Sequence, residues 1–216
     1  LDSKTAAEVL EWANVGLIGD EIIQWKTATL LSSGTYELSG LLRGRRGTEA
    51  AMHTHKLGER FVVLLPDGIF RVPLPQTEVG RVGHYRGVID GGEWDDAVTN
   101  SFLFNAQSMR CFSPVKVKAT RNIDSDLAIT WVRRTRWYGE WVDGVDVPLF
   151  EASENYEIDI LDGENVKRTM TTTTPAITYT AAQQIEDFGS VQGIVNVAIY
   201  QMNVVVGRGN AGKASL

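Results

Sequence analysis

The second half of this chain alternates apolar and polar residues over several short segments, and this pattern restricts the fold more than any other feature. Successive side chains of a strand point to opposite faces of a sheet, so a two-residue period predicts strands with one buried face. The apolar positions with this spacing are Val115, Val117 and Ala119; Leu127, Ile129 and Trp131; Tyr156, Ile158 and Ile160; and Val195, Val197 and Ile199. About seven short alternating strands over roughly 100 residues are typical of an immunoglobulin-like β-sandwich.

The first half of the chain also carries strand signals, although their spacing is less regular. The predicted strands are residues 21–31, 35–42, 60–65, 81–89 and 98–104. Ser32-Ser33-Gly34 supplies turn residues between the first two strands, which predicts a β-hairpin. Residues 5–13 are predicted to form a helix, because Thr5 and Glu8 have the spacing of a capping box.

A polar, weakly patterned segment at residues 105–113 separates these two patterns. It ends in Ser113-Pro114, where the proline favours extended backbone in the residue before it. We therefore predict a mainly β protein with two domains. The first is a β-rich domain over residues 1–107, and the second is the β-sandwich over residues 108–216.

Composition argues against several classes of protein. The net charge of −6 disfavours a dedicated nucleic-acid binder, whose surface is usually basic. No apolar run reaches the ~18 residues of a membrane-spanning helix, and the amino end carries no secretory signal. One cysteine, Cys111, excludes an internal disulfide and is expected to be a small buried hydrophobe. Because the chain starts with Leu1, we expect it to be a piece of a longer polypeptide.

The first candidate site is a basic turn that contains Arg43, Arg45 and Arg46. Gly44 and Gly47 alternate with these cations and allow the backbone to bend sharply where they are presented. Guanidinium groups pair bidentately with carboxylates, within the chain or on a neighbouring subunit. They also contact phosphates, as they would in a DNA-conducting lumen. A solvated turn is the remaining alternative.

The second candidate site is a segment in which cations and aromatic rings are interleaved. Its residues are Arg133, Arg134, Arg136, Trp137, Tyr138 and Trp141. The rings could stack on sugars or nucleobases, assisted by arginine. In the alternative interpretation, which describes most aromatic residues, the rings fix a long loop onto the sandwich while the arginines extend outward into solvent.

The tail 207–214 nearly matches the phosphate-binding motif G-x-x-x-x-G-K-[ST], but the chemistry is incomplete. Ala214 lacks the hydroxyl that would bind the metal ion, and no helix follows to direct its amino terminus at a phosphate. We therefore expect a terminal strand or a flexible end here, and no nucleotide site.

Histidines and carboxylates form no catalytic or metal-binding pattern. His53 and His55 could share one face of a strand, but a zinc or iron site needs about four to six ligands, and none nearby completes the set. Candidate acids lie in predicted loops, at Asp95, Asp96, Glu140 and Asp143. Neither G-x-S-x-G nor H-E-x-x-H occurs. We predict no catalytic residue, no metal site, no cofactor and no enzyme activity.

Several strings resemble the carboxy-terminal part of the large tail-tip proteins of tailed phages. They are GDEIIQW, YELSGLLRGRRGTE, HKLGERFVVL, FSPVKVKATR, DLAITWVRRTRWYGEWVDGVDVPLFEASENYEIDILDG, ITYTAAQQIEDFG and IYQMNVVVGRG. The chain is most similar to the "megatron" hub protein of the gene transfer agents of α-proteobacteria and of related siphophages, over nearly its whole length. Its second half resembles fibronectin type III domains in an L-x-I-x-W strand with Trp131 on the buried face and in a strand that ends at Asn203. Val195 stands where such domains usually have tyrosine.

This resemblance implies a virion structural protein at the distal end of a tail, present as three copies around the tail axis and in contact with other tail-tip proteins. For Arg43, Arg45 and Arg46 it favours ion pairs within or between subunits. The expected function is to help build the tail tip, or baseplate hub, and to contribute to host attachment and DNA delivery, with a host cell-surface receptor or polysaccharide as a further partner.

Two other functions stay open from the sequence. The first is a carbohydrate-binding module that recognises host-surface polysaccharide through Trp137, Tyr138 and Trp141. The second is an enzyme that degrades cell wall, which ranks last. Relatives carry a glycosidase-like barrel closer to the amino terminus, and this chain does not contain it.

Overall fold

The structure is a computed structural model that describes residues 1–139 and 142–216, and it is mainly β. Its two α-helices are α1 (Ala6–Leu10) and α2 (Ala181–Phe188). Its strands are β1 (Val15–Ile18), β2 (Glu21–Gln24), β3 (Thr27–Ser32), β4 (Thr35–Ser39), β5 (Leu42–Arg45), β6 (Phe61–Val63), β7 (Val82–Arg86), β8 (Thr99–Leu103), β9 (Val115–Arg121), β10 (Leu127–Val132), β11 (Tyr156–Asp162), β12 (Asn165–Thr172), β13 (Ala176–Tyr179), β14 (Asn196–Asn203), β15 (Gly207–Arg208) and β16 (Gly212–Ser215). Strand pairs throughout these described ranges are antiparallel.

The second half forms the predicted immunoglobulin-like sandwich. One sheet has the order β13-β10-β9, and the other has the order β12-β11-β14-β15, with β16 also paired to β14. The alternating positions face each other between the sheets, and Trp131 packs edge-on against Tyr156 with ring centroids 5.0 Å apart. The buried core comprises Leu127, Ile129, Trp131, Tyr156, Ile158, Ile160, Tyr179, Val195, Val197 and Ile199. The predicted fold class is confirmed.

The helix α2, between β13 and β14, was not predicted. It has a complete capping box, in which the Thr180 side chain accepts from the Gln183 amide and the Gln183 side chain accepts from the Thr180 amide. It ends at Gly189, whose φ of 77° suits glycine. Thr-x-x-Gln before an apolar residue, with glycine after Phe188, was the available sequence signal.

The first half contains a four-stranded sheet in the order β5-β2-β1-β6. Trp25 is buried beside it and packs edge-on against Phe61. The predicted helix is present but ends at Leu10, because Trp12 adopts a left-handed φ of 73°. The Trp12 amide then donates to the Val9 carbonyl and the next amide donates to the Glu8 carbonyl, which is a Schellman ending.

The predicted hairpin is confirmed as β3 and β4, but each predicted strand is interrupted. Residues 21–31 split at Trp25-Lys26 into β2 and β3, which belong to different sheets. Residues 35–42 split at Gly40, which has a φ of 64°, into β4 and β5. The Lys26 amide hydrogen-bonds the carbonyls of Ser39 and Gly40, so the two interruptions lie side by side.

Strands β6, β7 and β8 confirm the remaining three predictions, with shorter bounds than predicted. The ribbon β7–β8 forms a separate two-stranded sheet, and within residues 65–103 every residue is exposed or half-buried. Large apolar side chains that are at least half exposed in this segment are Leu65, Phe70, Val72, Val82, Tyr85, Ile89, Trp94, Val98 and Leu103. This segment therefore contributes no residue to the buried core.

Contacts join the halves that were predicted to be separate domains. Glu49 accepts from the Ser113 amide at 3.0 Å and forms an ion pair with Arg134. The division at residue 107 stays a prediction. Among residues 1–139 and 142–216, no helix combines the length and the apolar character needed to cross a membrane.

Candidate functional site

The basic turn overlaps the end of β5, which contains Arg43 and Arg45, and continues into Arg46 and Gly47. Gly44, Arg46 and Gly47 all have positive φ, at 60°, 56° and 82°. A Cβ added at Gly47 would overlap the carbonyl oxygen of Gln107, so a glycine is required here by both conformation and space. The turn therefore presents its cations from a fixed backbone.

Arg43 forms an ion pair inside the chain with the buried Glu21 carboxylate. Its Nε and Nη2 donate to both carboxylate oxygens of Glu21, with distances from 2.6 to 3.0 Å. His55 bridges Glu21 and Glu59, with 2.6 Å from each ring nitrogen to a carboxylate oxygen. Burial favours the neutral form of Glu21, but hydrogen bonds from Arg43, His55 and the Gly44 amide outweigh it and hold the pKa of this carboxyl below its ordinary value.

Arg45 and Arg46 make a different contact, with the ring of Trp12. The guanidinium carbons lie 4.7 and 3.9 Å from the ring centroid, which is cation–π geometry. Arg45 Nε also donates to the buried Gln24 side chain at 2.9 Å. Burial, together with the charge of Arg46, lowers the pKa of Arg45. Neither arginine forms an ion pair with another of the described residues, unlike Arg43.

Arg136 anchors the loop that also contains Trp137 and Tyr138, which we call the aromatic-basic loop. Its Nε and Nη2 lie 2.9 and 2.8 Å from Glu151 Oε1, and the side chains are 11% and 4% exposed. Asn203, at the end of β14, donates to the other Glu151 oxygen at 2.7 Å. The neighbouring Cys111 thiol is buried, and burial followed by the Glu151 charge raises its pKa to about 12. Cys111 is thus the buried hydrophobe that was predicted.

The other two arginines of the loop are also paired. Arg133 donates to Asp146 at 2.8 Å and to the Val147 carbonyl at 2.7 Å, which ties the loop to itself. Arg134 contacts Glu49 at 2.5 Å and lies over the Phe112 ring. The Arg134–Glu49 pair connects the loop to the first half of the chain. The interpretation that these arginines extend freely into solvent is therefore wrong.

The described aromatic residues of the loop remain accessible. Trp137 and Tyr138 are 48% and 67% exposed, and both rings rest on Phe150 with centroids 6.1 and 5.8 Å away. Tyr138 has a φ of 56°, in the left-handed region. Trp141 lies outside the described residues. The loop thus combines buried cationic anchors with rings that face solvent.

Both candidate segments line one groove of about 480 Å³. Residues from the basic turn, from the helix α1 ending and from the aromatic-basic loop meet there, although they are far apart in sequence. They include Trp12, Arg45, Arg46, Arg136, Trp137 and Tyr138. A larger groove of about 830 Å³ lies beside Glu49 and Arg134, but those two charges neutralise each other. We therefore take the first groove as the candidate site.

The glycine-rich tail forms terminal strands, and its Arg208 makes ion pairs that the sequence did not predict. It forms β15 and β16 on the edge of β14, as expected for a terminal strand. Arg208 donates to both oxygens of Asp159 at 2.6 and 2.9 Å and to Glu157 at 2.6 Å. Although burial opposes ionisation, Arg208 and Thr169 hold the pKa of the Asp159 carboxyl below its ordinary value.

The histidine pair does not share a strand face. His53 ends a 3₁₀-helix, Glu49–His53, whereas His55 lies in the loop beyond it, between two carboxylates. The described ranges contain no cluster of three or more His, Cys, Asp or Glu residues arranged to hold a metal ion.

Comparisons with known proteins match the first part of the chain to one family model. Residues 1–62 match the family model described as "Rcc01698-like, C-terminal", and Rcc01698 is a gene transfer agent-related protein. No curated protein matches the chain. Among solved structures, the extracellular domains d3–d4 of rat CD45 align over 88% of this chain and 93% of theirs, with 11% identity and a TM-score of 0.36. At that TM-score the alignment adds nothing to the sandwich already defined by the strand pairing.

Proposed function

We propose that this chain is a structural component of the distal tail tip of a tailed phage or gene transfer agent. The observation that carries the proposal is the match of residues 1–62 to a gene transfer agent-related family, combined with an all-antiparallel β architecture. Tail assembly requires rigid surfaces, and ion pairs between buried or half-buried groups supply rigidity here. Other tail-tip proteins and further copies of this chain, three around the tail axis, are its proposed partners.

The exposed ribbon β7–β8 supports an assembly role. An isolated two-stranded ribbon is marginally stable in water, and both of its outer edges have unpaired backbone groups. Exposed apolar residues in the segments beside the ribbon, such as Phe70, Ile89 and Trp94, would be buried by a neighbouring subunit. Attachment to a host receptor and DNA delivery remain further parts of the proposal.

Immunogold labelling of purified particles tests this function. Antibody against the chain should label the distal end of the tail. Mass spectrometry of the same particles should detect the chain at a fixed ratio to other tail proteins. A chain that is absent from washed particles, or labelled on the capsid, would contradict the proposal.

We propose that the chain is not an enzyme. A general acid or base needs a carboxyl that is free to exchange its proton with substrate. Glu21, Glu151 and Asp159 are instead each held by an arginine inside the fold. Release of soluble fragments from peptidoglycan by the purified chain, lost on replacement of one carboxylate, would overturn this part.

The second candidate function is carbohydrate binding, and a specific observation favours it. Trp137 and Tyr138 expose about half or more of their surface beside a groove, while Phe150 supports both rings. Isothermal titration of the chain with host-surface polysaccharide should show binding that Trp137→Ala abolishes. An unchanged signal in that variant would contradict a role for this groove.

A further inference from the structure

The candidate groove has two walls of different chemistry. On one wall, Arg45 and Arg46 lie over the ring of Trp12. On the other, Trp137 and Tyr138 present partly exposed rings. A volume of about 480 Å³ falls within the range of small-ligand sites.

The charge in this groove is not neutralised by the described residues that surround it. Arg136 forms an ion pair with Glu151, whereas Arg45 and Arg46 form no ion pair within the described part of the chain. Two adjacent cations repel each other, and half-burial of Arg45 strengthens that repulsion because less water screens it. An anion placed between the two guanidinium groups would relieve the repulsion and accept bidentate hydrogen bonds.

Three residues that line the groove have a left-handed backbone conformation. Trp12, Arg46 and Tyr138 have φ values of 73°, 56° and 56°, which are unfavourable for residues with a Cβ. Such a conformation is unfavourable and persists only where the surroundings impose it. Three such residues on one groove indicate that the fold maintains this arrangement of rings and cations.

We propose that this groove binds an anionic saccharide, with a sugar ring against Trp137 and Tyr138 and the acidic group between Arg45 and Arg46. This inference rests on the second candidate function and is independent of the tail-tip assignment. A nucleic acid would offer rings and phosphates too, but the net charge of −6 gives the chain no general attraction for polyanions. A short oligosaccharide places one acidic group per ring, which matches one cationic wall facing one aromatic wall.

Isothermal titration calorimetry with three tetrasaccharides tests the proposal. The probes are tetragalacturonate, a sulfated chondroitin tetrasaccharide and neutral galactotetraose, with single-stranded oligothymidylate as the nucleic-acid comparison. We expect at least tenfold tighter binding of one acidic tetrasaccharide than of the neutral one. Preference for tetragalacturonate would identify a carboxylate as the anion, whereas preference for the chondroitin probe, which carries both carboxylates and sulfates, would show that a sulfate contributes. Either result supports the proposal.

Variants locate the site on the protein. Arg46→Gln and Trp137→Ala alter exposed side chains and should each weaken binding of the acidic probe at least tenfold without changing the melting temperature by more than a few degrees. Arg86→Gln is the matched control, because Arg86 also lies over a tryptophan ring, Trp94, but outside this groove.

Four results would overturn the proposal. They are equal affinity for neutral and acidic sugars, unchanged affinity in Arg46→Gln, tighter binding of oligothymidylate than of any sugar, and no binding of any sugar. If neutral and acidic sugars bind equally well and Trp137→Ala abolishes that binding, the anionic preference is refuted but carbohydrate binding at this groove is supported. Absence of all sugar binding would refute both, without bearing on the particle-labelling result.

Discussion

Replacing Arg136 by methionine should destabilise the fold, because it leaves the Glu151 carboxylate buried without its cation. Both guanidinium donors lie within 2.9 Å of one Glu151 oxygen, and the two side chains are 11% and 4% exposed. Removing one partner of a buried ion pair costs about 3–5 kcal/mol. Because Asn203 still donates to the second Glu151 oxygen, we expect the lower end, ~3 kcal/mol, which corresponds to a fall in melting temperature of roughly 6–12 °C.

Urea denaturation followed by tryptophan fluorescence measures this loss. Arg136→Met/Glu151→Gln should recover part of the stability, since the uncompensated charge is gone. Trp137→Ala, one residue away and exposed, should change the free energy of unfolding by no more than about 0.5 kcal/mol. A loss below about 1 kcal/mol in Arg136→Met, or a double variant much less stable than the single one, would refute the claim that this loop is anchored by its arginine.

Three further predictions concern other parts of the fold. Cys111 should react with a thiol reagent at pH 8 about 1,000-fold more slowly in the folded than in the unfolded chain, because burial raises the pKa of its thiol. Rapid labelling of the folded protein would contradict this. His55→Gln should destabilise the chain most at low pH. Contacts with the carboxylates of Glu59 and Glu21 raise the pKa of His55 in the folded chain. The stabilisation that His55 contributes is therefore complete below about pH 6.5 and is lost as pH rises through its folded-state pKa. Melting curves of both proteins from pH 5 to about pH 9 check this, and a constant difference would refute it. Gly47→Ala should lower the free energy of unfolding, measured by urea denaturation, by about 2–4 kcal/mol, because the new Cβ meets Gln107. The control Gly34→Ala has a similar φ but open space around it, so it should lower the free energy of unfolding by about 1 kcal/mol. Equal losses in the two variants would contradict the close contact.

The sandwich could be predicted from the sequence because its signal is local. Residues such as Ile129, Trp131 and Ile158 alternate with polar neighbours, and each of them is buried where the period places it. The capping box at Thr5 was likewise predictable, since its partner Glu8 lies within the same turn. The helix end was not, because it depends on a tryptophan that accepts a left-handed conformation normally adopted by glycine.

The site depended on contacts that a local pattern cannot show. Trp12 and Arg46 meet only when α1 folds beside the turn after β5, and Arg134 reaches Glu49 across 85 positions. Glu21 was assigned to a half-buried strand without any sign that it would be fully buried and bound by three donors. Long-range pairing of this kind follows from the packing of whole sheets, not from spacing along the chain.

A cryo-electron microscopy reconstruction of the distal tail of the particle that carries this chain tests the central claim most directly. The account predicts density for the sandwich and for the β7–β8 ribbon at the tail tip, with copies arranged about the tail axis and the ribbon covered by a neighbouring subunit. A tip whose density is fully explained by other proteins, or a chain found at the tip with its ribbon exposed to solvent on all sides, would contradict an assembly role.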